Sequence, residues 1–131
     1  MAEAENLLGD DTMKYPFSFG FIVTDRESHP VTGKVLDEAV DALMDAMLER
    51  ETDVTYDSSV GAALARGEVD VELEVSAHDE ASAAALARDF VIQAILATGG
   101  TPIGLFVFPP RTPKVSPQQE WHERRAELAH T

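Results

Sequence analysis

Four stretches of the chain alternate apolar and polar residues with a period of two, which is typical of half-buried β-strands. The first starts at Phe17 and the third runs from Val69 to Val75, while residues 52–60 and 101–108 give the second and fourth predicted strands. The side that should be buried carries Phe17, Phe19, Phe21 and Val23 in the first strand, and Val69, Val71, Leu73 and Val75 in the third.

Two further stretches space their apolar residues three and four apart, which predicts helices with one buried face. The first helix covers residues 35–48, and four of its apolar side chains fall within about 60° of arc at 100° per residue, namely Leu36, Val40, Leu43 and Met47. The second helix is predicted from Asp79, where Ser76 and Asp79 form a capping box, to Ala97, and Gly99 ends it. The opposite side of the first helix is acidic and carries Glu38, Asp41, Asp45 and Glu49.

The predicted order is strand, helix, strand, strand, helix, strand, and it resembles the ferredoxin-like sandwich over residues 15–108. The resemblance implies an α+β fold in which a four-stranded antiparallel sheet carries both helices on one face. It is a resemblance of topology alone, because no family signature occurs in this stretch and the fold serves many unrelated functions.

The two ends of the chain fall outside this pattern. Residues 1–14 are acidic without apolar periodicity and predict a mobile leader. Residues 109–131 predict a Pro-rich linker followed by a short helical arm, in which Ser116 is the cap and Pro117 the first helical residue. This helix has few residues to bury, so it should be stable only when docked. Its apolar residues are Trp121, Ala126 and Leu128.

Length and composition exclude several classes of protein. The chain has 131 residues and a mass of 14.2 kDa, which corresponds to a single domain. It has no cysteine, so disulfides, thiolate nucleophiles and thiolate metal ligands are excluded. No apolar run approaches the roughly 18 residues of a membrane span, and the first residues are acidic rather than basic. We therefore expect a cytoplasmic protein.

The net charge of −14 argues against partners that present phosphate. Nucleic acids and anionic membranes are bound through Lys and Arg, and neither partner is expected here. The charge is also divided unevenly, because the first 108 residues hold 6 basic and 21 acidic residues, while the last 23 hold 4 and 3. We expect the basic arm to bind the acidic body, in the same chain or in a neighbouring subunit. The arm carries Arg111, Lys114, Arg124 and Arg125.

The second predicted helix is apolar on more than one side, and a single sheet cannot bury all of it. Either the C-terminal arm folds back over the outer side, or a second subunit covers it. The second alternative predicts a homo-oligomer, most simply a dimer. The predicted interface consists of Val91, Ile92, Ile95, Leu96, Phe106, Phe108, Trp121 and Leu128.

Candidate chemistry is sparse. Asp70, Glu72 and Glu74 follow one side of the third strand at spacings of about 6.8 Å, where they could share a cation but are explained equally well as a solvated face. None of the four histidines has a recognised ligand spacing. The sequence therefore predicts no catalytic residue, no metal site and no cofactor.

Three hypotheses for function follow from these observations. The first is a non-catalytic acidic interaction or regulatory protein that self-associates and binds another, unidentified protein. The second is a small-ligand-binding or enzymatic dimer with a pocket on the open sheet face, between two subunits, where Ile22, Phe106 and Phe108 form the floor and Glu72 and Glu74 supply the polar groups. The third is a DNA-mimic inhibitor of a basic protein. Its acidic surface would consist of Glu38, Asp41, Asp45, Glu49, Asp70, Glu72 and Glu74.

Overall fold

Five strands and two helices form in the computed structural model, which describes residues 12–103 and 119–128. Both helices agree with the apolar periodicity of the sequence to within a few residues. The second strand begins three residues later than predicted, because Thr52 and Thr55 first close a turn with a backbone hydrogen bond of 2.8 Å. The elements are β1 (Met13–Thr24), α1 (Gly33–Arg50), β2 (Thr55–Ala63), β3 (Glu68–Ala77), α2 (Glu80–Ala97), β4 (Thr101–Ile103) and β5 (Glu120–Leu128).

The strands form one sheet in the order β2-β3-β1-β5-β4. β1 pairs antiparallel with both β3 and β5, and β2 pairs antiparallel with β3. β4 pairs with β5 in parallel, so the sheet is mixed, and it is strongly curled into a half barrel. Neither described helix combines the length and the apolar character that crossing a bilayer would require.

The predicted ferredoxin-like sandwich with its C-terminal helical arm is wrong. The arm is not a helix, because residues 120–128 form β5, which lies between β1 and β4 and adds a fifth strand. Of the predicted fourth strand, Thr101–Ile103 is described, and Leu105 to Phe108 lie outside the described residues. Of the predicted leader, residues 1–11 also lie outside them. Its last part is wrong, because Met13 and Lys14 pair with Ala77 and Ser76 of β3 and begin β1 four residues before the predicted start at Phe17.

A β-bulge explains why the sequence does not reveal β5. Trp121 pairs with Val23 and Ala126 pairs with Phe19, although the two β5 residues differ in parity along the chain. The register shifts opposite Gly20 and Phe21, and this shift inserts one extra residue into β5. Apolar side chains on both sides of the bulge therefore face the same side of the sheet, while the sequence itself shows no alternation.

The core lies between the helices and one face of the sheet. Alternate residues of β3 are buried, as its period of two predicts, whereas in β1 Ser18, Gly20 and Thr24 are buried as well as the apolar residues. The buried apolar residues of both strands share one core with those of α1 and α2. Val91 and Ile95 of α2 are fully buried, and so is Trp121 of β5. The C-terminal segment thus completes the hydrophobic core of its own chain.

Both ends of α2 are closed by specific hydrogen bonds. Asp79 is the N-cap, and its carboxylate accepts from the Ser82 N–H at 2.7 Å, an interaction that lowers the pKa of Asp79. The predicted capping box is therefore displaced, because Ser76 belongs to β3. At the other end, Gly99 (φ +90°) follows the C-cap, and the Gly100 N–H donates to the Ile95 carbonyl at 3.2 Å.

Gly100 allows Trp121 to approach the end of α2. A Cβ atom at Gly100 would lie 2.7 Å from Trp121 Nε1 and 3.3 Å from Ile95 Cγ2, closer than atoms can pack without displacement. On its other side the indole meets the Phe21 ring edge-on, with centroids 5.9 Å apart. Any larger residue at position 100 would therefore push the buried tryptophan out of its place.

We predict that Gly100→Ala destabilises the protein by about 1–3 kcal/mol, because the added methyl group overpacks against the Trp121 indole. Gly61→Ala is the matched control, since a Cβ atom there would meet no heavy atom within 4 Å and the residue lies in a strand. Urea unfolding of both variants measures the difference. Equal stability of the two variants would show that Trp121 does not pack against Gly100.

Candidate functional site

The outward face of α1 carries a continuous row of carboxylates. Asp37, Asp41, Asp45 and Glu49 follow one another at intervals of four residues, so each lies about 6 Å further along the helix axis than the last. Glu38 lies beside this row, and all five residues are exposed. We call these five residues the acidic stripe.

The acidic stripe has no cationic partner among the described residues. No hydrogen bond or ion pair joins any of its carboxylates to a side chain, and the one cation in the last turn, Arg50, instead donates to the Ala46 carbonyl at 3.1 Å. The stripe is therefore an uncompensated anionic surface.

The arrangement of the stripe does not stabilise the helix. Like charges four residues apart repel, and the row Asp37, Asp41, Asp45, Glu49 contains three such pairs, each destabilising by about 0.2–0.5 kcal/mol. Glu49 also lies in the last turn, where the negative end of the helix dipole disfavours an anion. Helix stability alone thus gives no reason for placing these residues in one row.

Apolar side chains lie next to the stripe. Leu48 of α1 is 51% exposed and lies between Asp45 and Glu49 in the sequence. A surface that combines carboxylates with an exposed leucine can contact the aliphatic part of a Lys or Arg side chain as well as its charge.

On the sheet face away from the helices, Arg125 lies across Gly20, its pairing partner in β1. Arg125 Nη1 donates to Ser18 Oγ at 2.6 Å, and Nη2 donates to Asp70 Oδ1 at 2.7 Å. A Cβ atom at Gly20 would lie 3.3 Å from Arg125 Nε, so only glycine leaves the guanidinium full room. Asp70 is 64% exposed, so this ion pair contributes at most about 1 kcal/mol.

The structure therefore brings together one predicted basic residue of the tail and one predicted acidic residue of the body, within the same chain. Arg124, the neighbour of Arg125, is exposed. Glu72 and Glu74 follow Asp70 on the same side of β3, and they do not converge with it on a common point. Arg111 and Lys114 lie outside the described residues.

A second ion pair, between Arg88 of α2 and Glu123 of β5, is not apparent from the sequence. Arg88 Nη1 donates to both carboxylate oxygens of Glu123, at 3.2 and 3.0 Å, and the Glu123 side chain is only 12% exposed. The guanidinium carbon of Arg88 also lies 5.9 Å from the centroid of the Phe19 ring. No pattern in the sequence reveals this pair, because the predicted helical arm gives Glu123 no place in the sheet and therefore no position beside α2.

The predicted interface residues on α2 are mostly buried by their own chain. Val91 and Ile95 are inaccessible to solvent, Ile92 is 8% exposed, and Leu96 is partly buried. Trp121 of β5 is fully buried and Leu128 is partly buried, while Phe106 and Phe108 lie outside the described residues. These side chains therefore give no support to a subunit contact on α2.

The predicted pocket on the open sheet face is a shallow depression of about 220 Å³. Ile22 lines it, but Glu72 and Glu74 do not, and its polar groups include Asp70 and Arg125, which are already paired with each other. A second depression of about 150 Å³ lies between α2 and β5, with Phe17 and Leu128 among its lining residues. Glu68 and Arg124 also line the first depression, and Glu80 and Arg88 also line the second.

Among the described residues, one group of three potential metal ligands lies close together, in the turn after β1. One ligand atom each of Asp25, Glu27 and His29 lies within 4.8 Å of the others. Asp25 Oδ1 already accepts from the Glu27 and His29 N–H groups, at 2.8 and 3.0 Å, and the hydrogen bond from His29 lowers the pKa of Asp25. These hydrogen bonds explain why the three residues lie close together, because they belong to a turn that Asp25 stabilises.

We predict that Asp41→Lys stabilises the protein by about 1 kcal/mol, because two repulsive pairs, with Asp37 and Asp45, become attractive ones. Asp53→Lys is the matched control: it makes the same change in charge at an exposed residue outside the helix, and it should alter the free energy of unfolding little. Chemical denaturation at low and high salt measures both variants. The gain should shrink at high salt, and an equal gain in the control would contradict the repulsion along the stripe.

No protein-family model, no curated protein and no solved structure matches this chain.

Proposed function

We propose that this chain is a non-catalytic interaction protein that binds a Lys/Arg-rich segment of another protein through the acidic stripe of α1. The observation that carries the proposal is the row of exposed carboxylates that have no cationic partner in the described part of the chain and that repel one another along the helix. A basic partner would relieve this repulsion and would gain charge complementarity.

The other charged groups of the described residues favour the stripe over the open sheet face. On the open face Asp70 is already paired with Arg125, and on the helix side Glu123 is paired with Arg88. Among the described residues of the open face, Glu72 and Glu74 are left without an ion pair, against five carboxylates in the stripe. These pairs hold the strands and α2 together, and we assign them a structural role. Within residues 12–103 and 119–128, the stripe is the largest group of neighbouring carboxylates without an ion pair.

The net charge of −14 adds to the local effect. An acidic field extending beyond the stripe accelerates encounters with a basic segment and weakens as salt is added. Leu48, exposed beside the stripe, supplies apolar contact after the encounter. A DNA-binding protein is one kind of partner with suitable chemistry, and duplex DNA would compete with the chain for such a partner.

We predict that a fluorescent peptide rich in Lys and Arg binds the protein and that the quadruple variant Glu38→Gln, Asp41→Asn, Asp45→Asn, Glu49→Gln weakens binding about tenfold. Four lost surface charge pairs of about 0.3–0.4 kcal/mol each would together produce this change. Fluorescence anisotropy at several salt concentrations measures the dissociation constants, which should rise with salt.

The control variant removes four carboxylates elsewhere, by Asp53→Asn, Glu72→Gln, Glu74→Gln and Asp89→Asn, and thus has the same net charge. It should weaken peptide binding only about twofold, through the general field. If both variants lose affinity equally, the peptide responds to net charge alone and the stripe is not a binding site. If the control loses more, the binding surface includes the open sheet face, and the proposal is wrong.

A further inference from the structure

Glu120 and His122 lie on the same side of β5, because they are two residues apart in a strand. In a helix the same residues would lie about 200° apart, so the helical arm predicted from the sequence separates them. Both lie on the sheet face away from the helices, since Trp121 between them is buried in the core. Their side chains are 34% and 35% exposed. The first residues of β5 thus present a carboxylate and an imidazole side by side.

The pairing of β5 adds two hydroxyl groups to this pair. Glu120 lies opposite Thr24 of β1 on one side and opposite Thr101 of β4 on the other. Thr24 is buried, and its Oγ1 lies 2.9 Å from His122 Nε2. Thr101 Oγ1 is also buried, and it has no hydrogen-bond partner among the described residues. A buried hydroxyl without a partner is unfavourable unless a bound water or ion satisfies it, so Thr101 points to a ligand beside Glu120.

Hydrogen bonding does not explain the position of the Glu120 carboxylate. Glu120 Oε1 lies 3.5 Å from His122 Nε2, beyond the length of about 2.7–3.2 Å that is usual for an N–H···O hydrogen bond. Nε2 also faces the Thr24 hydroxyl, and one ring nitrogen has either a proton to donate or a lone pair with which to accept. Within residues 12–103 and 119–128, no other side chain binds the Glu120 carboxylate.

The distances instead fit the coordination shell of a metal ion. Two ligand atoms that each lie about 2.1 Å from one ion are about 3.0 Å apart in octahedral geometry and about 3.4 Å apart in tetrahedral geometry. His122 Nε2 lies 2.9 Å from Thr24 Oγ1 and 3.5 Å from Glu120 Oε1. An imidazole together with a carboxylate favours transition-metal ions such as Zn²⁺ over Mg²⁺ or Ca²⁺, which prefer oxygen ligands alone.

We propose that Glu120 Oε1 and His122 Nε2 bind a divalent transition-metal ion at the start of β5, and that the hydroxyls of Thr24 and Thr101 contact water molecules bound to this ion. The proposal is independent of the acidic stripe, which lies on α1. A structural zinc site has four protein ligands, so an ion held by two should exchange with the solution and should not be required for folding.

Isothermal titration calorimetry with Zn²⁺ tests the proposal on the natural chain, His122→Gln and Glu120→Gln. Each variant keeps a polar side chain in place and removes one ligand. Removing a group that only supports a ligand costs about 10–100-fold in metal affinity, so each variant should raise the dissociation constant at least about tenfold. Cu²⁺ should bind the natural chain more tightly than Zn²⁺ does, and Mg²⁺ should not compete.

The matched control is His29→Gln, which removes an imidazole from the turn cluster of Asp25, Glu27 and His29 in the same way. It should leave the affinity for Zn²⁺ unchanged. If His29→Gln weakens binding and His122→Gln does not, the ion binds in the turn and the proposal is wrong. The proposal is equally wrong if the natural chain binds no Zn²⁺, or if all variants bind Zn²⁺ alike through the general negative charge.

Tryptophan fluorescence gives a second readout that needs no variant. The chain has a single tryptophan, Trp121, and it lies between the two proposed ligands in the sequence. Co²⁺ bound to Glu120 and His122 should therefore quench its fluorescence up to one equivalent, and an excess of Zn²⁺ should reverse the quenching. One bound equivalent of Co²⁺ that leaves the fluorescence unchanged would place the ion elsewhere and contradict the proposal.

Discussion

The burial of Trp121 against Gly100 and Phe21 is the contact on which the rest of the structure depends. The indole is fully buried, yet its Nε1 has no hydrogen-bond partner among the described residues, so packing rather than polar bonding holds it in place. Leaving one N–H unsatisfied costs about 1–3 kcal/mol, and burying a side chain as large as tryptophan outweighs that cost. This contact anchors β5 between β1 and β4.

The position of β5 determines which charges remain available. On the open face it places Arg125 beside Asp70, and on the helix side it places Glu123 beside Arg88. Acidic and basic residues from distant parts of the sequence therefore neutralise one another within the chain. The acidic stripe on α1 has no such partners in the part of the chain that the structure describes, and this contrast distinguishes a candidate binding surface from charges that serve the fold.

The sequence predicts the parts of the fold whose periodicity is uninterrupted. β1, β3 and the two helices appear where their apolar spacing places them, and the exposure of Glu38, Asp41, Asp45 and Glu49 follows directly from helical geometry. β5 is hidden for a physical reason, because the bulge reverses the parity of its apolar residues. A helical arm gives Glu123 and Arg125 no place in the sheet, so the sheet order and the ion pairs that β5 makes with α2 and β3 do not follow from the sequence pattern. The place of β2 at the end of the described strand order likewise cannot be derived, because local spacing does not determine which strands pair.

Native-state amide hydrogen exchange of residues 120–128, compared with that of β1, tests the placement of β5 most directly. If β5 lies in the interior of the sheet, its hydrogen-bonded amides should exchange only when the whole domain unfolds, with the same free energy as the amides of β1. Amides of residues 120–128 that exchange as fast as those of a free peptide, while β1 stays protected, would show that the C-terminal segment is not part of the sheet.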